Sequence, residues 1–266
     1  MKLEFHNREL FLNDYRAVSI MEYNEEIELL KQLITSADKY LTKKQCTDTF
    51  SYEGVCYLFA ESIVEYFKMA YDNMILGHYD AANMINRAIL ENNVCLSIIM
   101  ENKISELWKY WLVHSIYKSL IPEKEYDTPE VRKMLKEIYT NYNIDKEFLE
   151  KHLDKKDTRA YIEKEYGWTY KINNNFSFKG LCELRKEYLY SDFKMMSAFA
   201  HGTSVYYKIN KSVFHGTVMN MLSCLYYNIQ FFMKEYFDGL LSCETYKLFN
   251  DLTKIFEQSY EGVDIE

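Results

Sequence analysis

The stretch YSDFKMMSAFAHG, residues 190–202, has the pattern of polar and apolar residues that is typical of an amphipathic α-helix. At helical spacing, four polar side chains fall within an arc of about 60°. They belong to Tyr190, Lys194, Ser197 and His201. The apolar residues between them supply a packing surface. The stretch therefore predicts a packed helix that carries one polar stripe.

His201 is the candidate catalytic residue of this stripe. Gly202 is a typical residue after a helix end, so His201 falls in the last helical turn. The helix dipole there favours the imidazolium form by about 0.3–1 kcal/mol. A cationic imidazole can hold or protonate an anionic oxygen, and the stripe is therefore a candidate site.

The rest of the chain has few residues that break helices. Its 266 residues include only two prolines and eight glycines, so long helices are expected. Apolar residues recur at helical spacing in segments 25–44, 49–76, 78–102, 104–121, 181–189, 212–237 and 243–260, and two surface helices are expected within 127–167. We predict an all-α fold, a multi-helix bundle that forms a single domain over residues 21–266. Residues 1–20 are polar and weakly patterned.

The helix predicted over residues 78–102 carries a second polar pair at the edge of its apolar face. Arg87 and Glu91 lie one turn apart there. An exposed ion pair with the arginine before the glutamate would contribute at most about 0.2–0.5 kcal/mol to helix stability. At the border of an apolar face, however, they point toward a groove between helices, where a half-buried arginine usually has a defined partner. Arg87 and Glu91 are therefore candidate catalytic residues, and the ordinary ion pair is the alternative.

Residues 166–180, YGWTYKINNNFSFKG, form the one long irregular stretch. A loop of this length in a compact domain is usually functional or mobile. Its apolar underside is formed by four aromatic residues, Trp168, Tyr170, Phe176 and Phe178. We expect it to close over the polar stripe as a lid.

Charge and composition restrict the partners. A net charge of -8 argues against a surface that binds nucleic acid generally, although a local pocket for RNA or a nucleotide is compatible with it. The start of the chain lacks the pattern of a signal peptide, and the most apolar run, 218–233, contains polar residues and indicates a buried helix. We expect a cytoplasmic protein that does not enter a membrane.

Cysteine spacing and aromatic content lead to two further expectations. The six cysteines show no metal-ligand spacing, so we expect reduced thiols, no metal site and no cofactor. The apolar and aromatic content exceeds what an isolated bundle needs, which favours a homodimer. The candidate dimer surfaces are residues 218–233 and the face of Trp108 and Trp111.

Several motifs together resemble a widespread family of bacterial and phage proteins of unknown function. The matching segments are AANMINRAILENN (81–93, with Arg87 and Glu91), Gly167-Trp168, and YSDFKMMSAFAHG (190–202, with Tyr190, Ser197 and His201). The resemblance covers roughly residues 55–235. More distantly, the chain looks like the HEPN superfamily, which includes metal-independent ribonucleases of toxin and antiviral systems. That likeness implies a HEPN-like helical core. Those enzymes carry Arg and His close together on one helix, a spacing that this chain does not have.

Two functions from different classes follow. In the first, the protein is a toxin-like or antiviral effector with metal-independent ribonuclease or phosphotransfer chemistry. His201 would act as general acid and base, Arg87 would steady the phosphate, and Glu91 would orient one of them. The substrate-binding residues would be Tyr190, Ser197 and Lys194. In the second, the protein is a non-catalytic helical module that binds a nucleotide-like ligand or a partner protein, and the polar cluster fixes helix packing.

Overall fold

The fold is helical throughout the part of the chain that can be described. The structure is a computed structural model, and it describes residues 24–44, 46–144, 146–147, 164–185 and 188–200. Over these residues the chain forms seven α-helices and two short 3-10 helices, and no strand. The all-α prediction is thereby confirmed for this part of the chain.

The helices follow one another in a simple order. They are α1 (Asn24–Lys44), α2 (Tyr52–Ile75), α3 (Tyr79–Glu101), α4 (Leu107–Leu120), α5 (Pro129–Asn141), α6 (Phe178–Arg185) and α7 (Tyr188–Ala200), and the 3-10 helices are Lys124–Tyr126 and Gly167–Thr169. Gly77 has a φ of 79° in the connection after α2, a conformation that suits glycine. The helices predicted after residue 200 lie outside the described residues, as do segment 1–20 and residues 148–163 of the segment 127–167, in which two surface helices were predicted.

The prediction of a helix from residue 104 is wrong at its start. Ile104 is 99% exposed, in a turn that extends over residues 102–106. Glu106 has a φ of 56° in this turn, and α4 begins at Leu107. Because an apolar residue at helical spacing looks the same in a turn and in a helix, the periodicity placed Ile104 in the helix.

The described residues divide into two compact units. The first contains α1, residues 59–93 of α2 and α3, and residues 191–200 of α7. The second contains residues 46–58 and the described residues from 94 to 190. α2 and α3 each contribute residues to both units. A single domain over residues 21–266 stays a prediction.

The core of the first unit is built from the apolar faces of four helices. Its buried residues include Leu30 and Leu33 of α1, Ile63 and Phe67 of α2, Ile89 and Leu90 of α3, and Met196 and Phe199 of α7. Lys68 of α2 pairs with Asp38 of α1, with 2.6 Å between Nζ and Oδ1. Burial of each of these large side chains contributes about 1.5–3 kcal/mol, so packing rather than the ion pair stabilises the unit.

The core of the second unit gathers around α4. Its buried residues include Leu107, Tyr110 and Val113 of α4, Leu135 and Tyr139 of α5, and Leu181 of α6. The buried His114 of α4 has its Nε2 3.1 Å from the carbonyl oxygen of Lys164. This contact fixes the start of the segment that leads into the 3-10 helix Gly167–Thr169.

Two helices, α2 and α6, begin within the second unit with the same kind of cap. At the start of α2, the backbone N–H of Gly54 donates to Ser51 Oγ over 3.0 Å. At the start of α6, the backbone N–H of Gly180 donates to Ser177 Oγ over 3.2 Å. A serine in this position satisfies one of the free N–H groups of the first turn. The Ser177 cap also explains why α6 begins at Phe178, earlier than the predicted start at residue 181.

The glycine of each cap is required by a close approach of the preceding loop. A Cβ on Gly54 would collide with the backbone of Asp48 and Thr49, and one on Gly180 would collide with the carbonyl oxygen of Asn175. Any larger residue must therefore push the loop away from the helix.

We predict that Gly54→Ala and Gly180→Ala each lower the free energy of unfolding by about 1–3 kcal/mol, the usual cost of an overpacked site. Urea denaturation followed by circular dichroism measures the change. Glu61→Ala, at an exposed position of α2, is the control and should stay within about 0.5 kcal/mol of wild type. Glycine variants as stable as this control would show that the loops yield without cost.

Candidate functional site

Arg87 of α3 lies against the ring of Phe193 of α7, and this contact forms the centre of the candidate site. The guanidinium carbon Cζ is 4.5 Å from the ring centroid. A cation–π contact of this kind contributes about 0.5–2 kcal/mol, depending on how far it is desolvated. The contact brings together the two helices on which the sequence placed the candidate residues.

Arg87 has a buried N–H group that makes no hydrogen bond within the described residues. The side chain is half-buried, and its Nε is buried without a hydrogen-bond partner among the described residues. No ion pair of Arg87 occurs in the described ranges either. Because leaving a buried donor unpaired costs about 1–3 kcal/mol, an acceptor that reaches this group would be bound favourably.

Glu91 lies one turn further along α3 and is also half-buried. Both residues thus have the edge position that the periodicity predicted. The structure does not show the exposed ion pair between Arg87 and Glu91, because Arg87 contacts the ring of Phe193 rather than a carboxylate. That Glu91 orients Arg87 or His201 stays a prediction.

Three residues of the predicted polar stripe lie on α7 on the side away from its packing face. Lys194 is exposed, whereas Tyr190 and Ser197 are half-buried. Ser197 Oγ donates a hydrogen bond of 2.7 Å to the carbonyl oxygen of Phe193, one turn before it on the helix. His201 lies outside the described residues, so its distance from Arg87 stays a prediction.

The two predicted lid residues lie in the second unit. Trp168 is 2% exposed, so the Gly167–Thr169 turn is anchored in a core. Tyr170 contacts Tyr110 of α4 edge to face, with 5.7 Å between ring centroids. Lys171 donates to the hydroxyl of Tyr110 and holds the same segment on α4. Closure of this segment over the stripe stays a prediction.

Asp192 is a residue that sequence reasoning missed. It lies on α7 one turn before the buried Met196, on the packing side of the helix. Burial raises the pKa of its carboxyl to about 6. No hydrogen bond or ion pair of Asp192 occurs in the part of the chain that the structure describes. The signal was present in the sequence, because an acidic residue at the spacing of the apolar face is unusual.

Buried amides on α3 were also missed. Asn83 and Asn86 are fully buried and Asn93 nearly so. The side-chain amide of Asn83 donates to the carbonyl oxygen of Tyr79 over 3.0 Å. Buried amides of this kind restrict how a helix can pack, because each needs a particular partner. The hydrogen bond of Asn83 shows that part of the polar content of α3 is structural.

Comparison of the chain with protein-family models, with curated proteins and with solved structures found no match. The family resemblance therefore rests on the motifs quoted above.

The described residues lack two features. They contain no group of three or more His, Cys, Asp or Glu side chains placed to hold a metal ion. None of their helices combines the length and the apolar character that crossing a membrane requires.

We predict that Asp192→Asn raises stability at pH 7. Burial raises the pKa of Asp192 in the folded protein to about 6, from about 3.9 in an unfolded chain. The folded state therefore favours the protonated carboxyl. The wild-type protein has its full stability below about pH 4, and its free energy of unfolding falls as the pH rises through about 6 and the buried carboxyl ionises. After allowance for solvent around a half-buried group, we expect the substitution to add about 1–2 kcal/mol at pH 7 and little at pH 4.

Denaturant unfolding at pH 4, 5, 6 and 7 measures this difference between Asp192→Asn and wild type. Asp72→Asn, at an exposed aspartate of α2, is the control and should show no such trend. An equal effect of Asp192→Asn at all four pH values would contradict the assigned burial.

Proposed function

We propose that the protein is a toxin-like or antiviral-defence effector that cleaves RNA, or transfers a phosphate, without a metal ion at a site formed by Arg87, Glu91 and His201. The observation that supports the proposal is the unpaired Nε of Arg87 together with the contact of this side chain with α7. A half-buried guanidinium with an unsatisfied Nε, held against Phe193 of the stripe-bearing helix, is suited to bind an anionic oxygen. The HEPN-like core implied by the sequence resemblance belongs to the same proposal.

Arg87 would hold the phosphate. Its contact with Phe193 limits the orientations of the guanidinium, so less rotamer freedom is lost when its N–H groups bind. Hydrogen bonds from a guanidinium to a phosphate are charge-assisted and about twice as strong as neutral ones. Glu91, one turn away on α3, would orient the arginine.

His201 would carry the proton transfers. It follows Ser197 by four residues and therefore continues the stripe in the sequence. As a base it would take the proton of the 2′-hydroxyl while that oxygen attacks the adjacent phosphorus, and as an acid it would protonate the departing 5′-oxygen. Arg87 would stabilise the negative charge that builds up on the phosphate oxygens. Tyr190, Ser197 and Lys194 would bind the substrate.

A second function is favoured by the buried amides of α3. Asn83, which is fully buried and donates to the carbonyl oxygen of Tyr79, shows that a polar group of this helix can serve the helix itself. In that case the protein is a non-catalytic helical module that binds a nucleotide-like ligand or a partner protein, and Arg87 supports the packing of α7 on α3.

We predict that the purified protein cleaves RNA in the presence of EDTA, and that Arg87→Ala and His201→Ala each reduce the rate by at least about 100-fold, the lower range for loss of a general acid–base group. Gel analysis of a labelled RNA measures the rate. Melting temperature, recorded on the same samples, should change little, because polar groups of active sites are seldom optimised for stability.

Arg132→Ala is the matched control. Arg132 of α5 donates from Nε and Nη2 to both carboxylate oxygens of Asp127, so its charge is already paired. Its loss should lower stability and leave cleavage unchanged. If Arg87→Ala lowers the melting temperature and no wild-type cleavage is ever detected, the cluster is structural and the enzymatic proposal is wrong.

A further inference from the structure

The turn between α3 and α4 carries the most exposed large apolar side chain among the described residues. Ile104, in this turn, is 99% exposed. Ser105 Oγ donates to the carbonyl oxygen of Asn102 over 2.8 Å, within the same turn. The backbone N–H of Glu106 donates to the carbonyl oxygen of Lys103 over 3.0 Å. These hydrogen bonds fix the turn, so Ile104 is presented to solvent in a defined position.

The backbone conformation of the turn is unfavourable at one residue. Glu106 has a φ of 56°, in the left-handed region, which costs free energy for any residue with a Cβ atom. The side-chain amide of Asn102 donates to the carbonyl oxygen of Ile98 over 2.9 Å and ties the turn to the end of α3. Strained backbone of this kind is concentrated at functional sites. The exposure of Ile104 is therefore built into the connection between the two helices.

A second exposed apolar residue lies on the loop next to this turn. Lys103 Nζ is 4.3 Å from the ring centroid of Tyr52, so the turn lies beside the start of α2. Phe50, two residues before Tyr52, is 51% exposed. The ring of Phe50 also contacts that of Tyr142, with 5.6 Å between centroids. An exposed aromatic ring is thus held near the turn.

A third exposed apolar residue comes from the end of α6. Arg185 pairs with Glu101, three residues before Ile104, so the end of α6 also lies beside the turn. Leu184 precedes Arg185 and is 46% exposed. Single exposed apolar residues need no explanation, whereas a group of them marks an interaction surface. The turn and its two neighbours form such a group at one end of the second unit.

Charges around the turn are of both signs. Three ion pairs surround it, namely Lys103 with Glu53 at 3.9 Å, Lys109 with Glu106 at 2.7 Å, and Arg185 with Glu101. Because their charges cancel, these residues supply no excess of positive charge, which a nucleic acid or an anionic membrane would require. An apolar centre with charges of both signs around it fits the surface of another protein.

The order of residues in the turn is complementary to itself. Lys103 precedes Ile104, and Glu106 follows Ser105. Two copies of a chain that meet about a two-fold axis run antiparallel at the axis, and each contact occurs twice. An axis between residues 104 and 105 places Lys103 of each copy against Glu106 of the other. The two Ile104 side chains then lie together at the centre.

We infer that residues 102–106 form the centre of a homodimer interface, in which Ile104 packs against its copy and Lys103 pairs with Glu106 of the second chain. The inference does not rest on the proposed function, because it involves none of the residues of that site. It gives the predicted homodimer a surface other than residues 218–233 or the face of Trp108 and Trp111.

Reversal of single charges in the full chain tests the pairing across the axis. Lys103→Glu leaves two acids in the turn and Glu106→Lys leaves two bases, so each variant faces its own copy with like charges. We expect either variant alone to raise the dimer dissociation constant at least about tenfold, measured by sedimentation velocity. An equimolar mixture of the two should dimerise as wild type does, because each acid then faces a base. Recovery in the mixture also shows that both variants are folded.

Ile104→Ser tests the apolar centre of the interface. We expect it to raise the dissociation constant at least about tenfold as well, because it removes two apolar side chains from each dimer. Met69→Ser is the control, since Met69 of α2 is 48% exposed and belongs to the first unit. The control should dimerise as wild type does, and circular dichroism should show the same helix content in all variants.

Three results would overturn the inference. They are a wild type that stays monomeric at micromolar concentrations, a dimer that Ile104→Ser leaves intact, and a mixture of the charge variants that stays monomeric. Co-sedimentation with phosphatidylcholine vesicles, measured on the same wild-type sample, would identify a lipid surface as the occupant if the protein is monomeric and Ile104→Ser abolishes the binding. That result would also contradict a second copy at this surface.

Discussion

Arg87 is held against the ring of Phe193, and the candidate site takes its position from that contact. A guanidinium can be partly buried against an aromatic ring because it is weakly hydrated and stacks on the π face. The contact joins α3, which carries Glu91, to α7, which carries Ser197 and Lys194. It is the contact by which the helix that carries Arg87 and Glu91 meets the helix that carries the polar stripe.

The helix α7 separates packing and polar functions onto two sides. Met196 and Phe199 are buried on one side, and Lys194 is exposed on the other. Asp192 breaks this division, because it places a carboxyl group on the packing side and burial raises its pKa. A helix with such a residue gives up stability at neutral pH, which is common where a sequence serves something other than packing.

The sequence was sufficient for the helical fold of the described residues and for the edge position of Arg87 on α3. Few prolines and glycines and regular apolar spacing predicted the helices, and Gly77 and Pro129 marked a helix end and a helix start that the structure shows. The edge position of Arg87 was readable because it depends only on helical spacing.

Other features could not be predicted from helical spacing. Phe193 as the partner of Arg87 depends on how two helices meet, which spacing along either one does not define. The need for glycine at positions 54 and 180 comes from loops that fold back onto the helix. Ile104 shows the opposite case, an apolar residue at helical spacing that lies exposed in a turn.

The most direct test of Arg87 as the phosphate-binding group is the NMR signal of its side-chain Nε–Hε in protein with ¹⁵N-labelled arginine. The signal is assigned by its loss in Arg87→Lys, and the protein is titrated with a 2′-O-methyl RNA oligonucleotide that cannot be cleaved. We expect the Arg87 signal to shift until saturation while that of Arg132, already paired with Asp127, stays in place. An Arg87 signal that does not move at concentrations at which the oligonucleotide inhibits cleavage of RNA would contradict the assignment.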